Sequence, residues 1–326
     1  MKTETYNYLL PVGMAPSKIE GCREELEAAL GGICEFEVKG RVVTITVHKG
    51  SMTKGIKYVR PEVSEGLFIP IGQGVDGKLI MLDMASDSHC FLLAGGNPGT
   101  GKSVFLNQGI DCLSQYPPEY LRLVLIDMKL GCELGDWETL PNTWLTAYDP
   151  TKPELKYVLS MILAEIKKRM KLFKAAGVKK VADYNQLNPE KSLPFIMIVI
   201  DEYSEIKNSD EGNDYEHLLK SILQMGRAAG VRCIAATQRP TVDCVSGTIK
   251  AVFTDRIAFA VSSALNSRVI LDCDGAEKLP NDVPGRAIFL TGSKFQTVQV
   301  MDYSSSSVPQ VLPTTEHMDS IDVPFP

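Results

Sequence analysis

Gly96-x4-Gly101-Lys102-Ser103, inside the stretch GGNPGTGKS at 95–103, combines glycines, a lysine and a hydroxyl at a spacing suited to a polyphosphate. Glycine at 99 and 101 lets a loop curl until successive N–H groups face one point, and a helix beginning near Lys102 turns the positive end of its dipole toward the same point. Lys102 would then reach the β- and γ-phosphates of ATP, and Ser103 would hold Mg²⁺. The nucleotide contacts expected from this P-loop are Gly96, Asn97, Pro98, Gly99, Thr100, Gly101, Lys102, Ser103 and Val104. The apolar run Phe91 to Ala94 predicts a buried strand before the loop, and Val104 to Leu113 predicts a helix after it, the setting the motif requires.

Hydrolysis needs a carboxylate for the metal and a group that orients water. Both follow the apolar run Ile196-Met197-Ile198-Val199-Ile200. A strand buried on both faces would deliver Asp201 and Glu202 to the carboxyl edge of a parallel sheet, Asp201 for the Mg²⁺ shell and Glu202 for the water. Val231 to Ala236 predicts a neighbouring strand that runs into Thr237-Gln238, putting the Gln238 amide where it can sense a γ-phosphate. No N-K-x-D guanine motif and no L-S-G-G-Q segment occurs, which argues against guanine-specific and transporter-type P-loop proteins.

The elements that must position these groups alternate. Strands are expected at Leu121 to Asp127 and Phe195 to Asp201, with a long helix at Pro153 to Ala176 and another at Tyr215 to Ala229. Further strands at Arg256 to Val261, Arg286 to Leu290 and Gln296 to Val300 complete a mostly parallel α/β sheet with antiparallel edges. Residues 1–60 read as a separate α+β unit of βαββ order, with its helix at Ser17 to Leu30; residues 61–301 form the main domain and 302–326 a loosely ordered tail. A chain of 326 residues with 44% apolar content supports such a division, and its longest aliphatic run is too short to span a bilayer, so a soluble cytoplasmic protein is expected. The eight cysteines lack metal-type spacing and read as buried reduced thiols. A net charge of −6 argues against a surface coated for nucleic acid, though not against a narrow basic channel, and the Lys167 to Lys180 cluster reads as a solvated helix face.

The segment from Gly226 to Pro280, GRAAGVRCIAATQRPTVDCVSGTIKAVFTDRIAFAVSSALNSRVILDCDGAEKLP, resembles the motor domain of the FtsK/SpoIIIE DNA translocases. The likeness extends over about 66–300, and residues 1–60 more faintly resemble the small α-domain on that motor ring. The resemblance implies a RecA-like fold, a hexamer and movement of double-stranded DNA driven by ATP. It assigns the same roles to Lys102, Asp201, Glu202 and Gln238 as the residues themselves suggest. It further implies that Arg227 enters the ATP site of a neighbouring subunit, and that Arg239, Arg268 and, more weakly, Lys250 meet DNA phosphates without reading sequence.

Ala264 stands where relatives often carry a lysine, and Pro280 to Arg286 leans toward the type VII secretion ATPases of the same superfamily. With no winged-helix module and no anchor in the sequence, a translocase of a mobile element, plasmid or phage is expected, with conjugation machinery or a membrane partner not legible. Two alternatives stay open: an ATPase that moves protein, and a nucleotide-dependent scaffold that does not cycle.

Overall fold

The computed structural model describes residues 2–15, 17–63, 65–149, 152–209, 211–241 and 244–303. The expectation for the tail therefore lies, from 304 onward, outside the described residues. The chain opens with β1 (Lys2–Leu9), α1 (Ser17–Gly21), α2 (Arg23–Leu30), β2 (Ile33–Lys39) and β3 (Val42–Lys49). Alternation in β2 and β3 sends Cys34, Phe36, Val38, Val43, Ile45 and Val47 to one face, where Ile19, Leu26 and Leu30 pack on them. The single helix expected at 17–30 is instead broken at Cys22, whose N–H bonds back only three residues to Ile19. The break turns the buried Arg23 inward, where it bonds the Cys34 carbonyl and Thr297 Oγ1.

The remaining elements are β4 (Phe68–Gly74), β5 (Leu79–Asp83), β6 (Phe91–Gly95), α3 (Lys102–Leu113), β7 (Leu121–Ile126), β8 (Thr143–Ala147), α4 (Glu154–Ala176) and α5 (Val181–Leu187). They continue with β9 (Phe195–Ile200), α6 (Tyr203–Asn208), α7 (Gly212–Ala229), β10 (Val231–Thr237), α8 (Gly247–Lys250), β11 (Asp255–Phe259), α9 (Ala264–Leu271), β12 (Arg286–Thr291) and β13 (Lys294–Gln299). Parallel pairing runs in the order β11-β6-β10-β9-β7-β8. Antiparallel β12 and β13 extend it, and β13 pairs with both β2 and β4, so hydrogen bonding continues from β8 to β1.

Helices cover both faces, which explains the unbroken apolar runs. In β9, Ile196, Ile198 and Ile200 enter the core under α4 and α7, while Met197 and Val199 enter the opposite core beside α3. Helix α4 buries Leu155, Val158, Leu159, Ile162, Ile166 and Phe173 along one stripe and ends at Gly177, whose φ of 71° closes the helix. Lys167, Lys168, Lys171, Lys174 and Lys179 are exposed. Arg169, in the middle of that run, departs from them: it is buried and donates to the carbonyls of Pro194 and Ala229 at 2.7 and 2.8 Å. Six cysteines are buried, whereas Cys22 and Cys132 are exposed. Among the described residues no helix is long and apolar enough to cross a membrane.

Candidate active site

Strand β6 ends at Gly95 and α3 starts at Lys102, so 96–101 form the connecting loop. Gly99 and Gly101 take φ of 76° and 110°, a region that favours glycine. At Gly101 space also forbids a side chain, because a Cβ would lie 2.7 Å from the backbone N of Gly285. Gly285 N–H donates to the Thr100 carbonyl at 2.8 Å, and Val300 N–H donates to the Gly285 carbonyl at 2.8 Å, so the loop is stitched to the end of β13. Among the described residues no side chain caps α3, which leaves its first-turn amides to an anion. Lys102 is buried and donates to the carbonyls of Gly96 and Asn97 at 2.8 and 3.2 Å. Burial pulls its pKa down to about 8, against the opposing charges of Glu202 and Asp201.

Beside the loop, Asp201 and Glu202 leave the carboxyl end of β9, flanked by β10 and β7. Asp201 is 1% exposed; its Oδ2 accepts from Lys129 Nζ at 3.0 Å, and its Oδ1 has no partner among the described residues. Burial raises the Asp201 pKa, and Lys129 opposes that rise. On Lys129 burial acts downward, but the charge and hydrogen bond of Asp201 outweigh it and its pKa is raised. Glu202 is buried and firmly held. Its Oε1 accepts from Ser204 Oγ at 2.6 Å and Thr237 Oγ1 at 2.9 Å, and the Gln238 N–H lies 3.1 and 3.0 Å from its two oxygens. Gln238 thus meets Glu202 through its main chain, while its side chain is half-buried. Thr237 Oγ1 also accepts the Arg239 N–H at 3.1 Å.

The remaining expected residues lie apart from this cluster. Arg227 is exposed in the last turn of α7, just before β10 begins, at the amino edge of the parallel sheet. The seven residues of β10 separate it from Thr237 by roughly 20 Å at about 3.3 Å per residue. It does not join the P-loop of its own chain. Arg239 is exposed on the loop after β10, and Arg268 is exposed on α9 but paired with Asp274. Lys250 is mostly covered, ion-paired with Asp272 and bonded to the Arg268 carbonyl at 2.6 Å, which leaves it poorly disposed toward an outside phosphate.

Lys129, Thr237 and Ser204 complete the carboxylate cluster without having been singled out for it from sequence. Lys129 has a signal only in hindsight: it follows the apolar strand β7 by three residues, as Asp201 and Glu202 follow β9. The Ile126–Ile200 register then brings the two ends together.

The FtsK/SpoIIIE family profile matches residues 62–242. The chain belongs to this family. Its FtsK/SpoIIIE relatives include the DNA translocase FtsK of Listeria monocytogenes, 34% identical over 285 residues that cover 77% of this chain and 37% of the relative. The DNA translocase FtsK of Bacillus anthracis is 29% identical over 358 residues, covering 95% of this chain and 44% of its own. The chain thus spans less than half the length of these relatives. Its fold is similar to that of the pCW3 conjugation coupling protein TcpA solved with ATPγS, with a TM-score of 0.70 and 23% identity over 93% of this chain and 86% of that one. The cytoplasmic domain of the type VII secretion ATPase EccC of Thermomonospora curvata gives a TM-score of 0.66 at 24% identity, over 78% of this chain and 31% of that one. The architecture is the RecA-like P-loop ATPase fold of the FtsK/SpoIIIE family.

Proposed function

We propose that this chain is the ATP-hydrolysing motor of a double-stranded DNA translocase, working as a ring of identical copies, with residues 61–301 as the motor and 1–60 as an accessory domain. The observation that carries the ATPase reading is the buried carboxylate pair, with Glu202 fixed by three donors and, among the described residues, no partner for Asp201 Oδ1 and no side-chain cap at the start of α3. The family and the names of its relatives favour DNA over protein as cargo.

ATP would lie along Gly96 to Val104. Lys102, held by the Gly96 and Asn97 carbonyls, would turn to the β- and γ-phosphates. An oxygen-seeking cation fits the unpartnered Asp201 oxygen, and Ser103 and Asp201 would hold Mg²⁺, which neutralises phosphate charge when bound. Glu202 would orient the attacking water. Because Thr237 bonds both Glu202 and the Arg239 amide, a change at the phosphate end would pass directly to the loop that carries Arg239 toward DNA. Arg227 lies at the amino edge of the sheet, apart from its own P-loop, and would serve the next copy in the ring.

The deciding measurement is ATP turnover by the full chain against added linear duplex DNA over a salt series. Stimulation that fades with salt is expected. A flat response, with turnover intact, would move the cargo assignment to protein.

A further inference from the structure

We infer that Lys129 is a built-in counter-ion of the carboxylate pair, which holds Asp201 and Glu202 in place before a metal arrives and competes with that metal for their charge. The inference rests on the ATPase reading above.

Its backbone is fixed first. Strand β7 ends at Ile126, level with Ile200 of β9, so the turn that follows β7 lies beside Asp201 and Glu202. The buried Asp127 carboxylate ties that turn by accepting the N–H groups of Lys129, Glu133 and Leu134 at 3.0, 2.8 and 3.0 Å. Leu130, next in line, is in the left-handed region at φ 61°, and its N–H is held by the Tyr148 carbonyl at 3.1 Å. A turn pinned at so many points delivers the Lys129 side chain to one place.

There its ammonium stands 3.0 Å from Asp201 Oδ2 and 3.9 Å from Glu202 Oε2. Lys102, the other nearby cation, is occupied by the Gly96 and Asn97 carbonyls. Two carboxylates packed this deep would repel each other and carry a large desolvation cost if nothing neutralised them. Lys129 supplies the compensating charge, and because its side chain is 31% exposed on a flexible stem it can yield, which the buried carboxylates cannot. With Oδ2 occupied by the lysine, the buried Oδ1 is left without a hydrogen-bond partner among the described residues.

A cation in this position has opposite effects on two ligands. It favours a metal-free nucleotide, whose negative charge would otherwise face bare carboxylates, and it disfavours a metal by like-charge repulsion. The two effects combine in one ratio, the affinity for nucleotide with Mg²⁺ divided by that without.

The test is equilibrium binding of ATPγS to the full chain, by calorimetry, in Mg²⁺ and in EDTA. Lys129→Met and Lys129→Gln are expected to raise that ratio by about fivefold or more over the wild type, and Lys129→Arg to leave it near the wild-type value. Should the methionine variant fail to fold, the glutamine variant carries the comparison. An equal loss in both media, or an unchanged ratio, would reduce Lys129 to a structural ion pair and overturn the inference while leaving the ATPase reading intact. A wild-type chain that binds ATPγS in neither medium would overturn both.

Discussion

The carboxyl edge of the parallel sheet and the arginine-bearing surfaces are built on opposite plans. At the edge, Glu202 has three donors, Asp201 has Lys129, and both carboxylates are nearly excluded from water. Arg227 and Arg239 are exposed, and among the described residues the exposed Arg268 side chain hydrogen-bonds Asp274. The first region is organised within a single chain, whereas under the proposed function the second would act only when another molecule supplies the acceptor. Preorganised groups act by charge already in place, and exposed arginines act by meeting charge brought to them.

The strongest challenge to that contrast is Arg227→Ala. If the residue completes a neighbour's site, turnover should fall about 10³-fold or more while ATPγS still binds. Unchanged turnover would mean that one chain holds the whole catalytic apparatus. Glu202→Gln tests the other side. It keeps the shape and most of the hydrogen bonding but removes the charge, and should lower turnover about 10²-fold or more with nucleotide binding retained. Phosphate release at the wild-type rate would remove Glu202 from the chemistry.

Thr237→Val addresses the link between the two regions. It deletes one donor to Glu202 and the acceptor of the Arg239 N–H, so stimulation of turnover by DNA should drop roughly tenfold. A variant stimulated as well as the wild type would show that the link is structural only. The smallest effect is expected from Arg239→Ala or Arg268→Ala. Each should weaken duplex binding and reduce the slope of log affinity against log salt by about 1. An unaltered slope would take the residue off the phosphate-contacting surface.

How much of this was legible in sequence follows the same divide. The P-loop and the Asp201-Glu202 strand could be read because a strand buried on both faces must be apolar without interruption, and β6 and β9 are. Strand β8 was missed because TWLTA is short and only partly buried, with no periodicity to mark it. Lys129 was missed because its role depends on which strand lies beside β9, a lateral pairing that local pattern does not encode. Arg169 sits within a lysine-rich helix and looks like one more solvated cation, yet it bridges two carbonyls contributed by other elements. The division of the N-terminal helix at Cys22 was equally hidden, since its apolar positions continue at helical spacing across the break.

The pairing of Thr100 with Gly285, and of Gly285 with Val300, has a consequence for trimming the chain. Cutting the polypeptide just ahead of Val300 would remove no group expected to touch ATP, yet it would take away the amide that steadies Gly285, the residue on which the nucleotide loop leans. Such a shortened protein should lose its grip on ATPγS although Lys102, Asp201 and Glu202 all remain.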